Sequence, residues 1–346
     1  MANKLPKAAV LFFILFLMTE YCIYKFVPDY ITNPTEVKLQ DKINIAKKAG
    51  FKNDILILGD SSAGAAINAN MLQARTGLAC FNFSLVGDAL IVGDYFIFKD
   101  YLLANGDPKY IILMNVYDIW HRDIVNEALL SNFWSDIMKN FLNIVVLSDN
   151  YKLASTNIAN AISQLLPSQI YRFEIKRSLE SMPNINLSRR KKETYALEQK
   201  LLKDRGSAIL LESDEGSVRK DSSEHEKFVD SNKFKVSKIN QHYLDRLLRE
   251  ANLRKIKVFI SFPHIFNEFY NNKERGQYLS LYKTFIKSLP RLYDNVVLLT
   301  DDFYVVPSQS LSLTIDHLNK DGSLVFTKMI AEKILEFISS EKTAKK

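Results

Sequence analysis

The stretch "DILILGDSSAGAAI" (54–67) sets four apolar β-formers, Ile55 to Leu58, ahead of Gly59, Asp60, Ser61 and Ser62, and then a run of small residues. Four apolar residues in succession suit a strand buried on both faces of a parallel sheet, not a half-wet strand of alternating character. The glycine and the Asp-Ser pair that follow read as a sharp turn into a helix, with a hydroxyl at the helix start. A three-residue Gly-Asp-Ser match is cheap on its own, so the residues around it decide its meaning.

Outward from this point the chain alternates. "SAGAAINANMLQARTG" predicts a helix closing on Gly77, "LACFNFSL" a second strand, and "ALIVGDYFIFKDYLLANG" a helix ending on Asn105-Gly106. Pro108 then leads into a third strand, "KYIILMNVY". Three strand-to-helix units within 54–120 predict an α/β fold: a doubly wound, mainly parallel sheet in a flavodoxin-like three-layer sandwich. Residues 124–180 have helical, amphipathic spacing and 181–233 are polar and charged, which predicts an insertion over or beside the sheet. The rhythm resumes with the helix "INQHYLDRLLREANLRK", the strand "IKVFISFP", the helix "QYLSLYKTFIKSLPRL", the strand "NVVLLTD" and the final helix "GSLVFTKMIAEKILEFISS".

The N-terminus is of a different kind. After Lys4 and Lys7, residues Ala8 to Met18 carry no polar side chain, and Ala8 to Val27 reaches transmembrane length only by accepting Glu20 and Lys25. "MTEYCIY" holds no small-x-small cleavage site, so the segment is expected to be an uncleaved signal anchor, with a cleaved signal peptide as the rival. The flanking lysines predict a cytoplasmic N-terminus and an extracytoplasmic globular part, periplasmic or extracellular. The expected organisation is an anchor (1–30), a linker (31–53), a first α/β part (54–120), an insertion (121–235) and a second α/β part (236–340).

Composition narrows the function. The 346 residues carry 46 Lys and Arg against 39 Asp and Glu, a mild excess scattered except at "SRRKKE" (188–193) and the final "KTAKK", and no nucleic-acid motif accompanies it. Cys22 and Cys80 fall on either side of the expected membrane boundary, so no disulfide is expected. The sequence has no phosphate-binding glycine loop, paired cysteines or His-Glu-x-x-His, and neither a cofactor nor a metal is called for.

Order along the chain gives the opening stretch its meaning. Ser61 follows the first strand, Gly87 the second in "NFSLVGD", Asn115 ends the third in "LMNVYD", and His317 in "DHLNKDG" precedes the last helix. In these four blocks the chain resembles the SGNH, or GDSL-type, hydrolase superfamily, over roughly 54–120 and 236–338. The resemblance implies Ser61 as nucleophile, His317 as its base, and an oxyanion hole built from the backbone N–H groups of Ser61 and Gly87 with the Asn115 amide. A serine hydroxyl needs an imidazole to take its proton, and the developing oxyanion needs donors aimed beforehand. His121, His225, His242 and His264 have no comparable setting.

Two departures from the family pattern stand out. The usual Gly-x-Asn-Asp appears as "LMNVYD", which leaves Asp118 as a shifted alternative to Asn115. The acid normally three residues before the histidine is Thr314, while Asp316 stands directly before His317. Adjacent side chains in an extended segment point apart, so the acid is Asp316 if the loop bends, Asp301 or Asp302 if it does not, or the site is a dyad oriented by a carbonyl.

An N-terminal anchor, an exported SGNH-like domain and a large insertion are together similar to the accessory proteins of polysaccharide O-acyltransferase systems. That resemblance implies O-acylation, with acetyl as the acyl group, of a cell-envelope polysaccharide, alongside a multi-span membrane-bound O-acyltransferase partner. An anchored esterase acting on glycans or lipids is the alternative with the same residues. A catalytically degenerate glycan-binding or assembly subunit is the alternative without them.

Overall fold

A computed structural model describes residues 7–26, 34–123, 187–208, 229, 233–312 and 314–344. Five strands form the central sheet: β1 (Ile55–Gly59), β2 (Cys80–Asn82), β3 (Tyr110–Met114), β4 (Lys257–Ile260) and β6 (Val296–Leu298). They run parallel in the order β2-β1-β3-β4-β6. All five residues of β1 are buried, as its unbroken apolar run requires. Ile55 stands beside Cys80 on one side and Tyr110 on the other. The chain therefore steps from β1 outward to β2 and returns across β1 to β3, which makes the C-terminal ends of β1 and β3 the switch point where such sheets place their sites. The α/β expectation holds in this form.

The helices are α1 (Lys7–Phe26), α2 (Pro34–Lys47), α3 (Ser61–Ala66), α4 (Ala69–Thr76), α5 (Leu90–Asn105), α6 (Leu187–Lys203), α7 (Lys238–Leu253), α8 (Asn267–Tyr270), α9 (Gly276–Leu292) and α10 (Lys320–Ala344). Packing joins α2, α5 and α7 into one layer and α3, α4 and α10 into another. Each layer touches the sheet, with α5 and α3 both against β1. A second, two-stranded sheet pairs β5 (His264–Phe266) with β7 (Tyr304–Val306), setting His264 opposite Tyr304.

Several expectations are corrected. The stretch expected as a linker contains α2, whose Ile43 and Ala46 are fully buried. Asn105 fastens the end of α2, accepting from Phe51 N at 2.7 Å and donating to Ala46 O at 3.0 Å. The single helix expected after β1 is two, because Asn68 accepts from Met71 N and caps a new start; Gly77 (φ 70°) ends it as anticipated. Part of the expected insertion does lie beside the sheet, with Asn82 N in β2 donating to Arg205 O (2.8 Å) and Ala208 N donating to Gly64 O in α3 (2.8 Å). The expected helical stretch 124–180 lies outside the described residues.

The N-terminal apolar segment forms one helix, and Phe12, Phe13, Leu15 and Met18 are each more than half exposed. Its side chains are described only over 10–23, short of the roughly 20 residues a span needs, and among the described residues no helix is long and apolar enough to cross a membrane.

Candidate functional site

Ser61 is the first residue of α3, directly after Gly59 and Asp60. Gly59 adopts φ 139°, and a Cβ there would lie 1.8 Å from Met114 O, so β1 and β3 approach too closely for any side chain. Asp60 caps α3: its Oδ1 accepts from Ser62 N (2.9 Å), Ser62 Oγ (2.5 Å) and Ala63 N (3.4 Å). Its Oδ2 accepts from Val116 N at 2.7 Å and so fastens the turn that carries Ser61 to the residue after Asn115. Ser62 is wholly buried by this role, and Ser61 is the partly exposed hydroxyl of the pair.

Asn115 is buried at the end of β3. Its Nδ2 donates to Asp94 Oδ2 at 3.2 Å, and its carbonyl accepts from Tyr282 Oη at 3.3 Å. An amide nitrogen carries two hydrogens, so a bond to Asp94 uses one and leaves the second for an oxyanion. Asp94 also accepts from Gly59 N at 2.8 Å, so one carboxylate on α5 fixes both the backbone before the serine and the Asn115 side chain. Nothing in the sequence marked Asp94. Its only cue was an acidic residue in the otherwise apolar "LIVGDYFIF" of a buried helix.

Gly87 opens a tight turn after β2, and Leu85 N donates to Gly59 O (2.8 Å), bringing this turn to the end of β1. Asp118, the shifted alternative to Asn115, is engaged elsewhere: its Oδ2 is 2.5 Å from Arg122 Nη2.

His317 lies in a turn that bends back on itself. Ser312 N donates to His317 O (2.8 Å), Leu311 bridges Leu318, and His317 N reaches Thr314 O at 3.4 Å. The segment is therefore not extended, and of the alternatives for the acid the loop bends as the Asp316 one requires. Asp316 Oδ1 is 2.8 Å from His317 Nδ1, and the Thr314 hydroxyl makes a short hydrogen bond to the same nitrogen. The position three residues before His317 thus touches its Nδ1 through a hydroxyl, with a carboxylate alongside. Asp302 instead pairs with Lys283 at 3.1 Å, and Asp301 is exposed.

The start of α10 brings this turn towards α3: Ser323 Oγ and Thr327 Oγ1 both donate to Ala66 O at 3.2 Å. The carboxylates feel one another. Burial, with smaller contributions from Asp316 and Asp118, pushes Asp60 up to about 6, despite its hydrogen bonds. Burial likewise pushes Asp94 up to about 7, with Asp60 adding to it. His264 is fully buried near Asp316 and His317, and desolvation holds its imidazole down at about 3, in the neutral form. Among the described residues no group of three or more His, Cys, Asp or Glu is placed to hold a metal ion.

A partly exposed serine, a glycine turn and a buried amide follow β1, β2 and β3, and the start of α10 brings the His317 turn towards α3. Such a set is suited to acyl transfer through a serine ester. No family model matches the chain, and no curated protein matches it either.

Proposed function

We propose that this chain is a membrane-anchored serine O-acyltransferase of SGNH type that passes an acyl group, acetyl in the leading form, to a hydroxyl of a cell-envelope polysaccharide. Ser61 carries the acyl group and His317 moves the proton. Asn115 and the N–H groups of Ser61 and Gly87 receive the oxyanion. The observation that carries this reading is His317 itself: its Nδ1 is occupied by Thr314 and Asp316, the arrangement that sets an imidazole to act through Nε2.

The exposed apolar side chains of α1 and the two N-terminal lysines support an anchor that keeps the globular part outside the cytoplasm. Anchoring at the membrane surface suits a division of labour in which a multi-span partner supplies the acyl group. The test offers the full-length chain in detergent an aryl acetate, with and without envelope polysaccharide. Acyl transfer to the polysaccharide, absent in Ser61→Ala, is the expected outcome. Fast hydrolysis indifferent to the acceptor makes the chain an esterase, and no Ser61-dependent reaction makes it a binding or assembly subunit.

A further inference from the structure

The turn Gly87–Leu90 carries backbone strain and is held from two sides. Leu90 has φ 54° and ψ −170°, a conformation that non-glycine residues rarely adopt and that persists only where its surroundings impose it. On one side Arg122 Nη1 lies 2.8 Å from Asp88 Oδ1 while Nη2 lies 2.5 Å from Asp118 Oδ2. The guanidinium passes so close to the turn that a Cβ on Gly87 would lie 3.5 Å from Nη1 and 2.9 Å from Ile119 Cδ1.

On the other side Asn240, fully buried in α7, accepts from Ile91 N at 3.2 Å. Its Nδ2 donates to Ile119 O (2.9 Å) and Arg122 O (2.9 Å), and Ser237 Oγ donates to Arg122 O at 2.8 Å. Arg122 is therefore fixed at its backbone by α7 and at its head by two carboxylates, one following Gly87 and one following Asn115.

We propose that Arg122 is a positioning residue, which fixes the Gly87 turn against the end of β3 and so aims the Gly87 N–H at the oxyanion. This rests on the serine reading of the site. A planar guanidinium spans two carboxylates at once, which a lysine ammonium, a single point charge, does less well.

The experiment compares the full-length chain in detergent with Arg122→Met, Arg122→Lys and Asp88→Asn, the last at an exposed position that leaves the Arg122–Asp118 pair in place. It reads hydrogen exchange over residues 85–92 and the rate at which a fluorophosphonate labels Ser61. Arg122→Met is expected to speed exchange there by about tenfold or more and to slow labelling by about 10-fold to 100-fold. Asp88→Asn should change both in the same direction by less, and Arg122→Lys should recover only part. Exchange unchanged within twofold, or faster exchange with unchanged labelling, overturns the proposal. An unlabelled parent protein removes the serine reading instead, and the exchange result then decides the clamp by itself.

Discussion

The carboxylate of Asp316 lies 2.8 Å from Nδ1 of His317, its immediate neighbour in the chain, because the turn from Ser312 to Leu318 folds the two side chains to the same side. Thr314 makes a hydrogen bond to that nitrogen, so two groups meet the imidazole on its Nδ1 side. Asp316→Asn should lower the Ser61-dependent rate by about 100-fold or more, by removing the charge that stabilises an imidazolium. Thr314→Val should cost about 10-fold, through looser orientation of the ring. Steady-state kinetics with an aryl acetate check both, and a larger loss in Thr314→Val would make the hydroxyl the principal orienting group.

Asp60 is a cap and a cross-brace together. Asp60→Ala removes the α3 cap and leaves Val116 N, at the end of β3, without its carboxylate. A lost cap costs about 0.5–2 kcal/mol and an orphaned buried N–H about 1–3 kcal/mol. Denaturant unfolding should therefore show a loss of at least about 1.5 kcal/mol, the sum of the lower values for each.

Asp94 predicts a pH dependence of stability with a definite sign. Its pKa is raised to about 7, so above the ordinary carboxylate value and up to about 7 the folded protein keeps a proton the unfolded chain has lost. The stability this supplies is complete below the unfolded pKa and disappears as pH rises through about 7. Asp60 acts with the same sign around 6, and His264, depressed to about 3, acts with the opposite sign on the acid side. Asp94→Asn, neutral throughout, should gain in melting temperature relative to the parent as pH rises across this range. A pH-independent difference would show that Asp94 does not titrate there.

Gly206 seals the β2 edge. With φ 79° and a Cβ that would fall 2.1 Å from Asn82 O, it lets Arg205 O accept from Asn82 N. Gly206→Ala should destabilise by about 2 kcal/mol or more, as strain is added to the left-handed backbone cost. Gly77→Ala is the control, since Gly77 lies in the left-handed well (φ 70°, ψ 5°) with open space around its Cα. It should cost only about 1 kcal/mol. Equal losses in thermal unfolding would remove the close approach as the cause.

Much of this architecture was legible in short apolar runs. "ILILG" and "YIILM" announce strands buried on both faces, and Gly77 announces a helix end, because burial and left-handed backbone act locally. The order of Ser61, Gly87, Asn115 and His317 was legible too. The α2 helix was not, since the polar "PTEVKLQDK" opens it and masks the inward face that Ile43 and Ala46 turn towards α5 and α6. Nor were Asp94 and Arg122 legible, whose roles depend on partners at least 21 and 4 residues away across a fold. The contact of Asp316 with His317 was legible only as one of three alternatives, because a turn and an extended segment look alike in "LTIDHL".

The most direct test of the account is acid quenching of the full-length chain during turnover of an aryl acetate, followed by peptide mass spectrometry. The account predicts one acetyl group on the peptide holding Ser61, borne by Ser61 and not by Ser62, and lost in His317→Ala. Turnover with no ester on Ser61, or an ester that survives Ser61→Ala, would contradict it.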